Sequence, residues 1–223
     1  MDRSSVCIIV PVFNEQQVIK NIVQSLVKEK YSIIIVDDGS TDNSFKLVVD
    51  LPVITLKHST NFGQGAALQT GFEFAKKNPN LEIFVTFDAD GQHQIKDIEN
   101  LISPIKENQA DIVFGSRFQN DKTKIPFLKR LVLRLAIKYT NLSTGVPLTD
   151  AHNGFRALNR TALNEMKLNL NGMAHASEIV SISHKGNLRI AEIPVEILYT
   201  KYSKAKGQSI LNSINILSDL FLR

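Results

Sequence analysis

Hydrophobic and polar residues alternate in blocks along the first half of this chain. Short apolar runs rich in Val and Ile are separated by segments whose apolar residues recur every three or four positions. Such runs are typical of strands buried on both faces of a parallel sheet, and the spacing between them predicts amphipathic helices. The predicted strands cover residues 6–12, 33–36, 53–56, 81–87 and 112–114. The predicted helices cover 15–28, a segment capped by Thr41 or Asp42 and ending at Val49, 66–77, and 95–106 with an end near Ser103 because Pro104 follows.

The second half of the chain is less regular. It predicts a helix over 125–142, a polar loop over 150–158 that runs into apolar residues, an alternating strand over 190–197 and a helix over 210–222. No internal repeat and no linker rich in Gly, Pro or Ser divides the chain. The pattern predicts an α/β fold of one domain, with a Rossmann-like, mostly parallel sheet flanked by helices. Such folds bind ligands beyond the carboxyl ends of their strands.

The composition excludes several classes of protein. With 43% hydrophobic and 22% charged residues in 223 positions, the chain is globular rather than disordered or of low complexity. Its single cysteine, Cys7, excludes an intrachain disulfide, and no apolar run reaches the length of a membrane-spanning helix. The N-terminal segment lacks the apolar core of a signal peptide, so we expect the protein to act in the cytosol.

The charge is distributed unevenly. Residues 1–110 contain 10 Lys and Arg against 14 Asp and Glu, whereas residues 111–223 contain 16 against 8. A basic half indicates a polyanionic partner, either nucleic acid or an anionic membrane surface. No nucleic-acid-binding motif is present, and the basic residues are not interleaved with aromatic ones, so nucleic acid is disfavoured.

The strongest chemical signal is the segment FDADGQH at residues 87–93, directly after a predicted strand. Asp88 and Asp90 can face one divalent cation, and Gln92 adds a neutral oxygen at the same spacing. Such oxygen ligands suit Mg²⁺ or Mn²⁺ bound to a diphosphate, although a polar turn with incidental acids remains an alternative. The histidines have no spacing typical of a zinc site, and His93 and His152 are expected near the active site.

Other strand ends also have polar or glycine-rich segments. They are PVFNE at residues 11–15, VDDGS at 36–40 and NFGQGAALQTG at 61–71; the last is a weak phosphate-loop signal without the Walker lysine. In this order, together with DADGQH and DIVFGSR, the segments resemble glycosyltransferase family 2. The second half, with DAHNGFRALNR and IPVEILYTKYSKAKGQS, is similar to the dolichyl- and polyprenyl-phosphate sugar synthases.

This resemblance implies a GT-A fold, a nucleotide-sugar donor, a divalent metal and a polyprenyl phosphate acceptor. It implies a glycosyltransferase domain over 1–208, with a nucleotide-sugar and metal half at 1–118 and an acceptor half at 119–208, followed by an amphipathic helix at 209–223. The implied donor-binding residues are Pro11, Phe13, Asn14, Glu15, Asp37, Asp38, Gly65, Asp88 and Ala89, and the implied metal ligands are Asp88, Asp90 and Gln92. The implied catalytic residues are Asp90, Arg117 and Lys204 as ligands of metal and phosphate, and Glu178 as the group ordering the sugar.

Two positions depart from the family pattern. The loop usually written SGF reads HNGF here, with His152 and Asn153, and the basic residue expected near 201–206 is Lys rather than Arg. Lysine attracts a phosphate as a point charge, without the two-pronged hydrogen bonding of arginine, so the identity of its phosphate stays open.

The acceptor determines the expected mechanism. A phosphate monoester with a second pKa of about 6 is mostly a dianion at neutral pH and can attack the anomeric carbon without a general base. Arg117, Arg130 or Arg134, and Lys204 are candidates for binding it, and direct displacement inverts the anomeric centre. UDP-glucose or UDP-GlcNAc is the favoured donor and GDP-mannose an alternative. Transfer to a glycan or protein hydroxyl, and an inactive nucleotide-sugar-binding scaffold, are the rival functions.

Membrane contact is expected through two amphipathic segments. One predicted helix has an apolar stripe at Leu128, Leu131, Val132, Leu135, Tyr139 and Leu142, and Arg130, Arg134 and Lys138 on another face. It is interpreted either as a helix packed on the core or as one lying on anionic lipid headgroups. The second is the C-terminal segment, with Ile210, Ile214, Leu217 and Phe221. We expect a peripheral enzyme on the inner face of the cell membrane, working in cell-envelope glycan modification; a small membrane protein or a second copy of the chain stays open as a partner.

Overall fold

The computed structural model describes residues 2–119, 123, 125, 127–200 and 202–203, except for the side chains of 128 and 129. Among these residues, seven strands form one mixed sheet. They are β1 (Val6–Val12), β2 (Ser32–Asp37), β3 (Ile54–Lys57), β4 (Ile83–Thr86), β5 (Ile112–Ser116), β6 (Arg156–Asn159) and β7 (Ile190–Pro194). Their spatial order is β3-β2-β1-β4-β6-β5-β7.

Helices cover both faces of the sheet. The helices are α1 (Ile19–Lys28), α2 (Ser44–Val48), α3 (Gln64–Lys76), α4 (Ile98–Lys106), α5 (Phe127–Thr144), α6 (Arg160–Glu165) and α7 (His175–Lys185). Buried residues of α1, α2 and α4 form one core with the sheet, and those of α3, α6 and α7 form a second core on the opposite face. This arrangement confirms the predicted α/β fold of one domain.

The parallel part of the sheet is where the sequence pattern predicted it. β1 pairs in parallel with β2 and β4, and β2 pairs with β3. The first helix begins at Ile19 rather than at residue 15, because Asn14 has a positive φ of 54° and turns the chain after β1. The helix predicted to end near Ser103 continues to Lys106 with Pro104 inside it. The Pro104 ring is buried, and this packing offsets the hydrogen bond that proline cannot donate.

One strand was not predicted. β6 lies antiparallel between β4 and β5, within the segment interpreted as a polar loop running into apolar residues. It has only four residues, and one of them is the wholly buried Arg156, so it lacks the apolar pattern of a core strand. Because β6 runs antiparallel to β4, the residues just before β6 lie next to the carboxyl end of β4.

The amphipathic helix near the middle of the chain is α5. Leu131, Leu135 and Leu142 of the predicted apolar stripe are exposed, whereas Ala136 and Thr140 are buried. The interpretation of this stripe as a core-facing surface is therefore wrong for these leucines. Within the described part of the chain, no helix has both the length and the apolar character needed to cross a bilayer. The helix predicted over 210–222 lies outside the described residues.

Candidate active site

A cavity of about 650 Å³ opens at the carboxyl ends of the parallel strands. Segments that follow β1, β2 and β4 form one side of it. The loop before β6 and part of α5 form the other side. Of the residues predicted for the site, those that line this cavity are Pro11, Phe13, Glu15, Asp38, Asp88, Ala89, Asp90, Gln92 and Arg117. Most of the predicted set is thus brought together around one space.

The two acidic residues after β4 face this cavity with neutral amide partners. The Gln64 amide donates to Asp88 at 2.8 Å, and the backbone and side-chain nitrogens of Gln92 donate to the two oxygens of Asp90. Burial raises the pKa of Asp88, opposed chiefly by the positive charge of Arg156. Burial also raises the pKa of Asp90, and repulsion from Asp88 raises it further. The two carboxylates therefore form a site where a cation relieves electrostatic repulsion.

The residues present fit a divalent cation. The described part of the chain contains no group of three or more His, Cys, Asp or Glu residues arranged to hold a metal. Two carboxylates and the Gln92 amide nevertheless supply oxygen ligands of the kind that Mg²⁺ and Mn²⁺ prefer. Mg²⁺ in particular usually binds one or two carboxylates together with substrate phosphates. Gly154 packs closely against Asp88, since a Cβ on it would lie 2.3 Å from Asp88 Oδ2.

His93 contacts the acidic turn after β4 through Asp88. Its Nδ1 accepts a hydrogen bond from the Asp88 backbone N–H at 3.0 Å, and its ring stacks on Phe155 with centroids 4.7 Å apart. Burial lowers the pKa of His93 to about 4, so the ring is neutral at physiological pH. Its Nε2 lies 3.4 Å from Asp88 Oδ2. His93 lines the candidate cavity, and its contacts hold the turn that presents Asp88.

Arg117 is fixed by a buried ion pair. Its Nε and Nη2 donate to the two oxygens of Asp150 at 2.6 and 2.7 Å, and its backbone N–H donates to Asp150 at 3.0 Å. Asp150 is fully buried and Arg117 is 8% exposed. Glu192 in turn accepts backbone hydrogen bonds from Thr149 and Asp150. Arg117 lines the cavity, and this ion pair fixes its orientation there.

The loop after β2 is held by its own carboxylates and by Asn14. Asp38 accepts hydrogen bonds from the backbone N–H groups of Phe62 and Gly63 at 3.0 and 2.7 Å, and contacts the His58 ring. Asn14 accepts from the backbone N–H of Thr41 at 2.9 Å. These bonds join the ends of β1 and β2 and the segment before α3 into one wall of the cavity.

Two predicted residues lie behind this wall. Asp37 is fully buried at the end of β2, and its Oδ1 has no hydrogen-bond partner among the described residues. Gly65 packs against the chain itself: its N–H donates to Asn171 O, and a Cβ would lie 2.1 Å from Leu170 O. Gly65 thus makes its close approach to residues 170–171, and its implied role in donor binding stays a prediction.

Residues 198, 199 and 202, near the end of the described chain, contact the site. The backbone N–H of Leu198 donates to Gln92 O at 3.0 Å, and the Tyr202 hydroxyl donates to Glu15 at 2.7 Å. The Tyr199 hydroxyl is a hydrogen-bonding neighbour of Arg117. Both tyrosines of the YTKY sequence thus contact predicted site residues, although Lys204 lies outside the described residues.

Glu178 is placed differently from the expectation. It lies in the first turn of α7, and its carboxylate accepts hydrogen bonds from the backbone N–H groups of Asn169 and Leu170 at 2.9 Å. These contacts fix the loop that packs on Gly65, and Glu178 is not among the residues lining the cavity. Its predicted role in ordering the sugar stays a prediction, and the observed contacts give it a structural role.

Several residues of the site were missed by the sequence interpretation. Asp150, Gln64, Tyr199 and Tyr202 each contact a predicted residue, yet each is distant from it along the chain. The one available signal was the pair of tyrosines three residues apart in the basic segment that contains Lys204. Nothing local in the sequence distinguished Asp150 from other loop acids.

Comparisons with known proteins agree with this geometry. The family model described as Glycosyl transferase family 2 matches residues 7–167. The UDP-N-acetylglucosamine--dolichyl-phosphate N-acetylglucosaminyltransferase of Methanococcus voltae is 36% identical, covering 96% of this chain and 94% of that protein. The undecaprenyl-phosphate 4-deoxy-4-formamido-L-arabinose transferase of Pseudomonas fluorescens is 28% identical, covering 96% of this chain and 63% of that protein.

A solved structure shares the fold. Glucosyl-3-phosphoglycerate synthase from Mycobacterium tuberculosis, in complex with Mn²⁺, UDP and phosphoglyceric acid, superposes with a TM-score of 0.68 at 18% identity, covering 96% of this chain and 78% of that one. At this identity the match concerns the fold, which is the GT-A arrangement expected from the motifs. The family model and the M. voltae relative, each spanning most of the chain, show that this protein is a glycosyltransferase that belongs to glycosyltransferase family 2.

Proposed function

We propose that this protein transfers one hexose from a nucleotide sugar to a polyprenyl phosphate at the cytosolic face of the membrane, with inversion at the anomeric carbon. UDP-GlcNAc is the favoured donor because the 36% identical relative is named for it, with UDP-glucose next and GDP-mannose as a further candidate. Undecaprenyl or dolichyl phosphate is the acceptor class for which the two curated relatives are named. A role in cell-envelope glycan modification is part of this proposal.

The order of side chains across the sheet carries this proposal. Asp38 follows β2, Asp88 and Asp90 follow β4, the loop 152–155 enters β6, and Arg117 follows β5. Neighbouring strands are about 4.8 Å apart, so these groups follow one another across the sheet, at the end where the parallel strands finish. In this spatial order, we assign the four groups to binding of the nucleoside, of the diphosphate with its metal, of the sugar and of the acceptor phosphate. A nucleotide sugar facing a phosphate acceptor presents its parts in the same order.

The carboxylates of the cavity support a phosphate nucleophile. Among the described residues that line it, the carboxylates are Glu15, Asp38, Asp88 and Asp90. Glu15 accepts from Tyr202, and Asp38 accepts from two backbone N–H groups. If Asp88 and Asp90 bind the metal, the two other carboxylates among the described lining residues are already held by these hydrogen bonds, which disfavours them as bases for a hydroxyl. A phosphate dianion needs no such base, whereas a glycan or protein hydroxyl does.

The other charged groups of the site are proposed to bind the metal and the phosphates. Asp88, Asp90 and Gln92 would hold Mg²⁺ or Mn²⁺, which when bound neutralises negative charge on the diphosphate. Arg117, oriented by Asp150, supplies a fixed positive charge on the acceptor side, and Lys204 is proposed to add a second. Aligning the two substrates and screening their phosphates is then the main contribution of the protein to catalysis.

The nucleophile predicts a specific pH dependence. At saturating donor, the rate of transfer should fall on acidification through the second pKa of the acceptor phosphate, about 6, because the monoanion is the weaker nucleophile. A phosphonate analogue of the same polyprenol has a higher second pKa, so its rate profile should shift to higher pH. Steady-state rates with both acceptors test this.

Comparing the two acceptors distinguishes titration of the acceptor from titration of enzyme groups such as Asp88 and Asp90, which is the same with either acceptor. Identical pH profiles for the two acceptors would contradict a dianion nucleophile. Efficient transfer to an alkyl glycoside without phosphate would favour the hydroxyl-acceptor function instead. Donor binding without transfer to any acceptor would favour the inactive scaffold. Nucleotide release measured over a panel of UDP and GDP sugars identifies the donor.

The outward side of α5 supports a membrane location. Phe127 and Leu142 are 83% and 77% exposed, and Arg130, Arg134 and Lys138 are exposed beside them. These three cations have no ion pair with any described residue. The inward side of the same helix contributes Val132 and Leu133 to the cavity wall. The outward side of α5 is thus apolar and basic, and it lies on the same helix as the cavity wall. Such a surface can bind anionic headgroups, which lie at the same depth as a lipid phosphate.

Reversing two of these charges should abolish membrane binding. Each Lys or Arg near an anionic surface contributes about 1 kcal/mol, so Arg130→Glu with Arg134→Glu removes two attractions and adds two repulsions. We expect the double variant to remain in the supernatant when sedimented with vesicles containing phosphatidylserine, while the wild type sediments.

The matched control for this experiment is Lys20→Glu with Lys30→Glu, which reverses two exposed charges, one in α1 and one in the turn after it. It changes the net charge by the same amount and should sediment like the wild type. Equal loss in both double variants would indicate a general charge effect, and sedimentation of the α5 variant at the wild-type level would overturn the assignment of this surface.

A further inference from the structure

Another cavity, of about 570 Å³, is lined by α5, by the loop that follows this helix and by Phe118. We call it the α5 groove. Its volume lies within the roughly 300–1,000 Å³ that is typical of small-molecule sites. Val132 and Leu133 of α5 line the active-site cavity, whereas Arg134 and Lys138 line the α5 groove, and among the described residues the two cavities have no lining residue in common. The α5 groove is therefore separate from the active site.

The α5 groove has a basic part and an apolar part. Arg134 and Lys138 are exposed and form no ion pair with any described residue, and none of the described residues lining the groove is acidic. Four residues of a helix rise by about 6 Å, so both cations can reach the oxygens of one phosphate group. The apolar part consists of Phe118, Ile137, Leu142 and Pro147. The lining thus favours a ligand that has both an anionic group and an apolar segment.

The wall of the groove opposite α5 is held in place by hydrogen bonds. The Asn141 side chain donates to Leu148 O at 2.8 Å and accepts the Leu148 N–H at 3.3 Å. Gly145, with a φ of 76°, turns the chain after α5, and its N–H donates to Asn141 O at 2.9 Å. The Thr149 N–H donates to the Glu192 carboxylate at 2.9 Å. A wall fixed in this way lowers the entropic cost of binding a ligand.

The apolar part of the groove continues into the exposed apolar stripe of α5. Leu131, Leu135 and Leu142 are exposed, and their spacing of four and seven residues places them on one helix face together with Lys138. A hydrocarbon chain that leaves the groove meets this stripe instead of water, which a small water-soluble phosphate cannot do. The stripe therefore favours a lipid as the ligand.

We propose that the α5 groove binds one anionic phospholipid, with its phosphodiester between Arg134 and Lys138 and a hydrocarbon chain along the apolar lining. This inference rests on the proposed membrane location, and it adds a discrete site to the general attraction between a basic helix and lipid headgroups. The phospholipid is distinct from the acceptor, whose phosphate is proposed to meet Arg117 in the other cavity. A lipid bound here holds α5, and with it the cavity wall at Val132 and Leu133, at the level of the headgroups.

The test uses a monomeric lipid, so that a membrane surface plays no part. Dihexanoyl phosphatidylglycerol, kept below its critical micelle concentration, is titrated calorimetrically into the full chain without donor or acceptor. Lys138→Gln removes one cation of the groove, and Leu142→Ser removes an apolar side chain; both side chains are exposed, so we expect the fold to be kept. Each variant should bind the lipid roughly fivefold more weakly than the wild type. Dihexanoyl phosphatidylcholine, whose headgroup brings its own cation, should bind much more weakly than phosphatidylglycerol.

Arg130→Gln is the matched control, because Arg130 is an exposed cation of the same helix and is not among the residues lining the groove. It should bind the monomeric lipid like the wild type, although it has lost one charge that attracts vesicles. Equal weakening in Arg130→Gln and Lys138→Gln would reveal a general charge effect and overturn the discrete site. Equal affinity of the wild type for glycerophosphoglycerol, the same headgroup without chains, would reveal an anion site and overturn the lipid assignment.

The outcome for the groove is independent of the outcome for the proposed function. Failure of the wild type to transfer sugar to a polyprenyl phosphate would overturn the proposed acceptor while leaving the lipid affinities intact. Failure to sediment with anionic vesicles would overturn the proposed membrane location and this inference with it. If the wild type sediments with vesicles but does not bind the monomeric lipid, only the groove site is overturned.

Discussion

Replacing Asp90 with Asn is expected to lower turnover by a factor of at least ~10², equivalent to about 2.7 kcal/mol in the activation barrier. The substitution keeps the shape of the side chain but removes a negative charge that faces the same cavity as Asp88. The charge of Asp88 raises the pKa of Asp90, so the two carboxylates together attract a divalent cation strongly, and one carboxylate with an amide attracts it much less. The loss should appear in kcat with saturating donor and acceptor.

The control for this variant is Asp50→Asn, which removes an equal charge from an exposed position after α2. It should retain wild-type turnover, and both variants should have thermal unfolding midpoints close to that of the wild type. Titration with Mn²⁺ completes the measurement. Turnover of Asp90→Asn near the wild-type level at saturating Mn²⁺ would contradict the assignment of Asp90 as a metal ligand.

Replacing Asp150 with Asn is expected to lower the free energy of unfolding by about 3–5 kcal/mol. The substitution leaves the Arg117 guanidinium buried and without the carboxylate that accepts its Nε and Nη2. An uncompensated buried charge costs far more than the net contribution of the intact pair, because the cation has already been removed from water. Typical domains have a total free energy of unfolding of only about 5–15 kcal/mol, so this loss is large.

Asp111→Asn is the matched control for Asp150→Asn. Asp111 pairs with Arg189 in the same two-pronged way, but the Arg189 side chain is 47% exposed, against 9% for Arg117. Water can solvate Arg189 when its partner is lost, so the stability change should be clearly smaller. Urea unfolding of the two variants measures the difference. Equal destabilisation would contradict the view that burial makes Asp150 essential for holding Arg117.

The local features of the site could be predicted from sequence. Asp88, Asp90 and Gln92 are within five residues of one another and follow a strand, so their shared orientation depends on a single turn. The strands of the parallel half were recognisable because burial on both faces requires a continuous apolar run. By contrast, β6 was missed because a short strand that contains a buried arginine has no such run.

Long-range contacts explain most of what the sequence interpretation missed. Asp150 meets Arg117 across 33 residues, and Tyr202 meets Glu15 across 187. Spacing along the chain says nothing about such pairs. The apolar stripe of α5 was recognisable, but which side of the helix would be covered depended on what packs against it, and Leu131, Leu135 and Leu142 are the residues left exposed.

Residues close together in the chain were sufficient to predict the family, the strands of the parallel half and the acidic turn after β4. The folded structure was needed to find that Asp150 orients Arg117, and that Glu178 and Gly65 contact the backbone of residues 169–171. The physical reason is that the hydrogen-bond partner of a buried group is selected by the packing of distant segments. That selection follows from the whole folded chain, and a local motif does not contain it.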